Sequence, residues 1–67
     1  MSKLKQITVE PGDTLMKLAG THFGDVYCWP ALYRANERAI RDEQVRRGLS
    51  PENPEDLIFP GTVLIIP

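Results

Sequence analysis

The chain has 67 residues, a single cysteine, a single histidine, and a nearly balanced charge of eight Lys and Arg against nine Asp and Glu. A chain this short forms one domain that buries only about 60% of its unfolded surface. A single cysteine excludes an internal disulfide, and one cysteine with one histidine excludes a zinc site of the usual spacing. The balanced charge argues against a nucleic-acid ligand, for which a basic face is typical.

The first predicted element is a short strand within residues 4–9, LKQITV. Apolar and polar side chains alternate there, so Ile7 and Val9 share one face of a half-buried strand. Pro11 and Gly12 end this strand, because proline lacks a backbone donor and glycine permits a tight turn.

A helix is predicted directly after this turn. Asp13 and Thr14 are both residue types that cap a helix N-terminus, and Gly24 is typical of a helix C-terminus. The side chains between these ends that recur at the spacing of one helical face are Leu15, Leu18, Ala19, His22 and Phe23. We expect His22, at the edge of this face, to pack against Phe23 rather than to act as a base.

A second helix is predicted from Asp25, which can cap it, through side chains at helical spacing up to Asn36. Pro30 is compatible with the first turn of this helix, where backbone N–H groups have no intrahelical partner. We expect Cys28 to behave as a small buried apolar side chain, because no partner for a reactive thiol accompanies it.

Residues 37–56 form a polar segment between the second helix and the end of the chain. Its part RDEQVRRG can form one or two helical turns closed by Gly48, and LSPENPED is typical of an extended connector. Acidic residues lie among the arginines of this segment, which favours a mixed, solvent-exposed surface over a basic binding patch.

The last predicted element is a strand in TVLIIP, directly after a second Pro-Gly turn at Pro60 and Gly61. The order of strand, helix, helix, long loop and strand predicts a single α+β domain of the βααβ type over residues 1–67. In this arrangement the terminal strands pair antiparallel, and the helices cover one face of the resulting sheet.

Several blocks of the chain resemble the LysM domain family: ITVEPGDTLMKLA, WPALYRAN and DLIFPGTVLIIP. They follow the family's order and lie within residues 6–36 and 56–67. The resemblance implies the same βααβ fold. It also implies the family's usual function, which is non-covalent binding of N-acetylglucosamine polymers such as peptidoglycan or chitin.

In the LysM family the glycan lies in a shallow groove between the loop that follows the first strand and the loop that precedes the last one. Carried over to this chain, the glycan-groove candidates are Gly12, Asp13, Thr14, Leu15, Leu57, Ile58 and Phe59. Purely structural roles explain these residues as well. Asp13 and Thr14 can serve as helix caps, and the apolar candidates can belong to the core.

The chain departs from the family pattern first in the length of its second loop. An inserted loop is expected at residues 41–55, with the extra residues at about Asp42 to Asn53. The family's loop is usually much shorter. The insertion enters beside the expected groove, where it can cover the groove or build a different surface.

A second departure is the last strand, which is apolar on both faces. Leu64 and Ile66 point one way, whereas Val63 and Ile65 point to the face that a sheet with helices on one side leaves exposed. Apolar residues on such a face indicate cover by a partner, unless Val63 and Ile65 are there only as good strand formers.

A third departure is that the domain stands alone, whereas a wall-anchoring LysM domain usually accompanies a catalytic domain and an export signal. The sequence shows neither, and it has no apolar run long enough for a transmembrane helix. Free-standing, unexported LysM-like proteins resemble adaptors of phage tails and contractile injection machines, which join the inner tube or spike to the baseplate. We therefore expect a chain that is cytoplasmic on synthesis and then becomes part of a particle, with other tail or baseplate subunits as partners. The protein-interface candidates are Tyr27, Val45, Arg46, Arg47, Leu49, Val63 and Ile65.

No catalytic constellation is recognisable in the sequence. It contains no Ser-His-Asp or Cys-His arrangement, no glycine-rich phosphate loop and no metal-ligand spacing. Adjacent carboxylates such as Glu55 and Asp56 are expected to face solvent. We therefore expect a non-enzymatic protein without cofactor or metal, which binds neither nucleic acid nor membrane. Its function is then that of the structural adaptor or, alternatively, of a glycan-binding module.

Overall fold

The structure, a computed structural model, describes residues 5–67. Its strands are β1 (Lys5–Thr8) and β2 (Val63–Ile66), and its α-helices are α1 (Leu15–Phe23) and α2 (Trp29–Arg46). One 3-10 turn, Val26–Cys28, precedes α2, and another, Pro54–Asp56, lies in the loop before β2. The antiparallel pairing of β1 and β2 confirms the predicted α+β fold of the βααβ type. Leu4, where the first strand was expected to begin, lies outside the described residues.

The two-stranded sheet has one buried and one exposed face. The strands pair so that Ile7 lies opposite Leu64 and Thr8 lies opposite Val63. Leu64 and Ile66 are buried, whereas Val63 is 50% exposed, which confirms the predicted division of the last strand into two faces. The buried residues of the core cluster are Val9, Leu15, Leu18, Leu32, Ile40, Leu64 and Ile66.

The two Pro-Gly turns, residues 10–13 and 59–62, have the same structure. Each is closed by a hydrogen bond from the fourth N–H to the first carbonyl, at 3.0 and 3.2 Å. Gly12 and Gly61 have φ values of 87° and 92°, the left-handed geometry that glycine adopts at the third position of such a turn. Val9 joins the turns, because it accepts from the N–H of Gly61 and donates to the carbonyl of the last residue of the second turn, both at 2.8 Å.

Helix α1 begins and ends where the sequence predicts. The hydroxyl of Thr14 accepts a hydrogen bond from the N–H of Lys17 at 3.1 Å, and Gly24 follows the last turn. Asp13, the other capping candidate, instead accepts from the N–H of Glu10 at 2.9 Å, so its carboxylate stabilises the first Pro-Gly turn.

Helix α2 begins later than expected. The carboxylate of Asp25 accepts from the N–H of Tyr27 at 2.9 Å and caps the 3-10 turn rather than the α-helix. Pro30 lies in the first turn of α2, as predicted. Cys28, which was expected to be buried, is half-buried.

Helix α2 ends later than expected, at Arg46. The helical turns predicted for RDEQVRRG are present at residues 41–46, continuous with α2, and Gly48 follows them with a φ of 73°. The non-helical part of the segment placed at residues 41–55 therefore begins only after Arg46. The reason is Gln44, which is buried and continues, at four-residue spacing, the stripe that contains Leu32 and Ile40. No helix of the described chain is both long and apolar enough to cross a lipid bilayer.

Candidate functional site: a loop cleft and the outer sheet face

A cleft of about 250 Å³ opens between the first turn of α1, the start of α2 and the loop before β2. Its lining residues are Thr14, Leu15, Met16, Trp29, Glu55, Asp56 and Ile58. Thr14, Leu15 and Ile58 were predicted to belong to a ligand groove, and the structure brings these three together. The cleft therefore lies between the same two loops from which the groove candidates were taken.

The other groove candidates do not line this cleft. Gly12 and Asp13 belong to the first Pro-Gly turn, where Asp13 is engaged with the backbone. Leu57 contributes its carbonyl to a bond that holds the loop in place. The ring of Phe59 lies under the guanidinium of Arg47, whose Cζ is 4.1 Å from the ring centroid.

Two large apolar side chains that the sequence reasoning did not assign to the site form part of the cleft wall. Trp29, the first residue of α2, packs against the core and also lines the cleft. Met16 is 45% exposed beside the buried Leu15. A signal for Met16 was present in the sequence, because it is an apolar residue outside the apolar stripe of α1.

The cleft also carries negative charge. Glu55 and Asp56 lie in the second 3-10 turn and line the cleft. Both were expected to face solvent; Asp56 is exposed and Glu55 is half-buried. Within residues 5–67, the ion pairs that form join Glu43 to Arg46 and Arg47, at 3.0 and 2.9 Å. No Lys or Arg of the described residues therefore neutralises the two cleft carboxylates at contact distance.

Gln44 fixes the turn that carries these carboxylates. Its side chain is buried, and its Nε2 donates to the carbonyl of Pro54 at 2.9 Å and to that of Leu57 at 2.8 Å. These two carbonyls bracket Glu55 and Asp56. This role was not predicted from the sequence, where Gln44 was expected only as part of one or two polar helical turns.

Asn36 fixes the last strand in a similar way, through its side-chain amide. Its buried side-chain amide donates to the carbonyl of Ile65 at 2.8 Å and accepts from the N–H of Ile65 at 2.6 Å. It also donates to the carbonyl of Leu32, one turn earlier in α2, at 2.9 Å. The geometry attaches the middle of α2 to the edge of β2 that faces away from β1.

A second, more open concavity lies along this edge of β2. It has a volume of about 320 Å³, and its lining residues are Ala35, Asn36, Arg38, Ala39, Asp42, Val63 and Ile65. Because backbone groups alternate sides along a strand, the N–H and C=O of Val63 point to the same edge as those of Ile65. Val63 and Ile65, paired with Thr8 and Gln6, also present their side chains on the face opposite the core. We call this the outer sheet face.

The remaining interface candidates lie elsewhere. Tyr27, in the first 3-10 turn, is 78% exposed. Val45, in the last turn of α2, is 72% exposed, and Leu49, in the loop just after that helix, is 41% exposed. Arg46 and Arg47 are in the same region, but both are paired with Glu43. The candidates thus fall into three groups: the outer sheet face, the α2 end and the isolated Tyr27.

Comparisons with known proteins give one informative similarity. The uncharacterized protein YqbP of Bacillus subtilis (strain 168) is 38% identical to this chain over 63 residues, which are 94% of this chain and 27% of that protein. This chain thus spans about a quarter of the length of that curated relative. No family model and no solved structure matches the chain.

Proposed function

We propose that this domain is a non-catalytic structural adaptor of a phage tail-like contractile injection system, where it joins the inner tube or the spike to the baseplate. The observation that carries the proposal is the outer sheet face, where Val63 is 50% exposed and Ile65 half-buried beside it. The resemblance to LysM-like components of such machines is the reason for proposing this type of assembly.

The outer sheet face has the properties of a protein contact. Burial of an apolar side chain such as Val63 at an interface stabilises the complex by about 1.5–3 kcal/mol before the cost of association. The alanines on the neighbouring face of α2, Ala35 and Ala39, leave space for a partner beside the strand. The backbone N–H and C=O of Val63, which point to this edge, add hydrogen-bonding capacity for an extended partner segment.

The end of α2 offers a further contact region next to the loop. Val45 and Leu49 are large apolar side chains that remain exposed there. The ion pairs of Glu43 with Arg46 and Arg47 hold the surrounding charged side chains in place. This region supports the adaptor proposal less strongly than the outer sheet face, because single exposed apolar residues are common on protein surfaces.

The adaptor function can be tested by in-frame deletion of the gene in a strain that produces such particles. We expect the wild-type chain to copurify with particles at a fixed ratio to the other subunits, as measured by mass spectrometry. Electron microscopy of the deletion strain should show tubes or spikes detached from baseplates. Two results together would contradict the proposal. They are complete particles in the deletion strain, and absence of the chain from particles purified from the wild-type strain.

A second candidate function is the binding of N-acetylglucosamine polymers, which the apolar and aromatic part of the loop cleft supports. Thr14, Leu15 and Ile58 meet there, and Trp29 adds an aromatic wall of the kind that packs against sugars and other ligands. Amide NMR titration of the domain with an N-acetylglucosamine tetramer tests it. Saturable shifts at the cleft residues would support glycan binding, and an unchanged spectrum at millimolar ligand would count against it.

A further inference from the structure

We propose that the loop cleft receives one large apolar side chain that is flanked by lysine or arginine on an extended segment of a partner protein. This inference rests on the adaptor function, because it specifies the chemistry of a partner contact. It goes further in naming a second contact site, separate from the outer sheet face, and the sign of the charge that this site accepts.

The size of the cleft favours a single side chain. Its volume of about 250 Å³ is below the range of about 300–1,000 Å³ that is usual for sites of small-molecule ligands. Leu15 is buried and Ile58 half-buried on the core side, whereas Met16 is 45% exposed at the mouth. An inserted apolar side chain would thus meet apolar walls, and methionine adapts to different shapes.

The charge of the cleft decides what accompanies that side chain. Ionised Glu55 and Asp56 can only accept hydrogen bonds, and no Lys or Arg within residues 5–67 forms an ion pair with them. A lysine or arginine from outside would supply charge-assisted bonds to these carboxylates. It can also lie over the indole ring of Trp29, which favours a cation.

The same charges favour a peptide over an N-acetylglucosamine polymer. An N-acetylglucosamine chain is neutral, so it offers apolar methyl groups and hydroxyls but no positive charge for Glu55 and Asp56. The backbone that carries the two carboxylates is held in place, because the two bonds donated by Gln44 attach their turn to α2. Two carboxylates on a fixed turn raise the affinity for cations more than for neutral ligands.

The single tryptophan of the chain makes the test direct, since all tryptophan fluorescence comes from Trp29 in the cleft wall. The probe is the peptide acetyl-Gly-Lys-Leu-Lys-Gly-amide, titrated into the full chain. We expect a saturable change in emission at about 0.01 M salt. The change should weaken strongly at about 1 M salt, where the Debye length falls from about 30 to about 3 Å.

Variants then assign the charge effect to the cleft. The double variant Glu55→Gln with Asp56→Asn should raise the Kd for the peptide about tenfold, the combined effect of two exposed charge pairs. Glu52→Gln is the matched control, because Glu52 is an exposed acid of the same loop that does not line the cleft. It should leave the Kd unchanged. Circular dichroism checks that all variants are folded.

The inference would be overturned if acetyl-Gly-Glu-Leu-Glu-Gly-amide bound as tightly as the lysine peptide, or if the double variant kept the wild-type Kd. It would also be overturned if the lysine peptide caused no saturable change in Trp29 emission, or if an N-acetylglucosamine tetramer bound more tightly than that peptide. The last result would assign the cleft to a glycan. Failure here is distinguishable from failure of the adaptor function: a chain that copurifies with particles but does not bind the lysine peptide overturns only the proposal for the cleft.

Discussion

The side-chain amide of Asn36 forms two hydrogen bonds with the backbone of Ile65, donating to its carbonyl at 2.8 Å and accepting from its N–H at 2.6 Å. These are the bonds that a neighbouring strand would otherwise make. Asn36 therefore protects the edge of β2 at Ile65 and leaves the next outward-pointing residue, Val63, available for contacts. The relationship links the stability of the fold to the position of its proposed contact face.

The first prediction concerns this pair. Asn36→Ala removes the bonds and leaves the backbone groups of Ile65 without their partner, at a cost of about 2–3 kcal/mol. In a domain of this size, thermal unfolding followed by circular dichroism should show a Tm lower by about 10–20 °C. Gln6→Ala, which removes an exposed amide from β1, is the control and should change the stability by less than about 0.5 kcal/mol. Equal Tm values for the two variants would contradict this role of Asn36.

The second prediction concerns Gln44 and the loop that it holds. Gln44→Leu keeps most of the side-chain volume but leaves the carbonyls of Pro54 and Leu57 without their donor, which should cost about 1–3 kcal/mol. Because these carbonyls bracket the turn of the cleft carboxylates, the amide resonances of residues 55–58 should shift and their hydrogen exchange should accelerate. Leu49→Ala, in the same loop, serves as the control.

A loop that kept its exchange rates in Gln44→Leu would show that other contacts position it. The cleft would then be expected to keep its shape without Gln44, and the emission of Trp29 in the variant should match that of the wild-type chain.

The third prediction concerns the second Pro-Gly turn. Gly61 has a φ of 92°, and a Cβ built there meets no atom within 4 Å, so any cost of a side chain comes from the backbone alone. Gly61→Ala should destabilise the domain by about 1–2 kcal/mol. A chain of this length is accessible to chemical synthesis, so D-alanine at position 61 is a matched control. It should retain wild-type stability, and equal losses for both alanines would contradict the argument.

Much of the fold could be predicted from the sequence because its signals are local. Thr14 caps α1 and Gly24 ends it, and the alternation in β2 separates Leu64 from Val63. These features depend on neighbouring residues and on the period of the pattern. The pairing of the terminal strands then followed from the order of the elements.

The features that could not be predicted depend on contacts between residues that are distant in sequence. Gln44 looks like an exposed polar residue of a helical turn until its bonds to the loop, 10 and 13 residues away, are known. Phe59 was expected in a groove, but Arg47 covers its ring. The spacing of Trp29 is typical of a helix, whereas its contact with the cleft depends on where the loop folds back.

Whether the outer sheet face joins the domain to its partner is tested most directly by comparing two lysine substitutions for incorporation into particles. Val63→Lys places a charge on the outer sheet face, and Thr21→Lys places one at an exposed position of α1. Both should leave the domain folded, with unchanged circular dichroism. Quantitative mass spectrometry of purified particles should show that Val63→Lys is lost and Thr21→Lys retained at the wild-type ratio. Full incorporation of Val63→Lys would contradict the claim that the outer sheet face joins the domain to its partner.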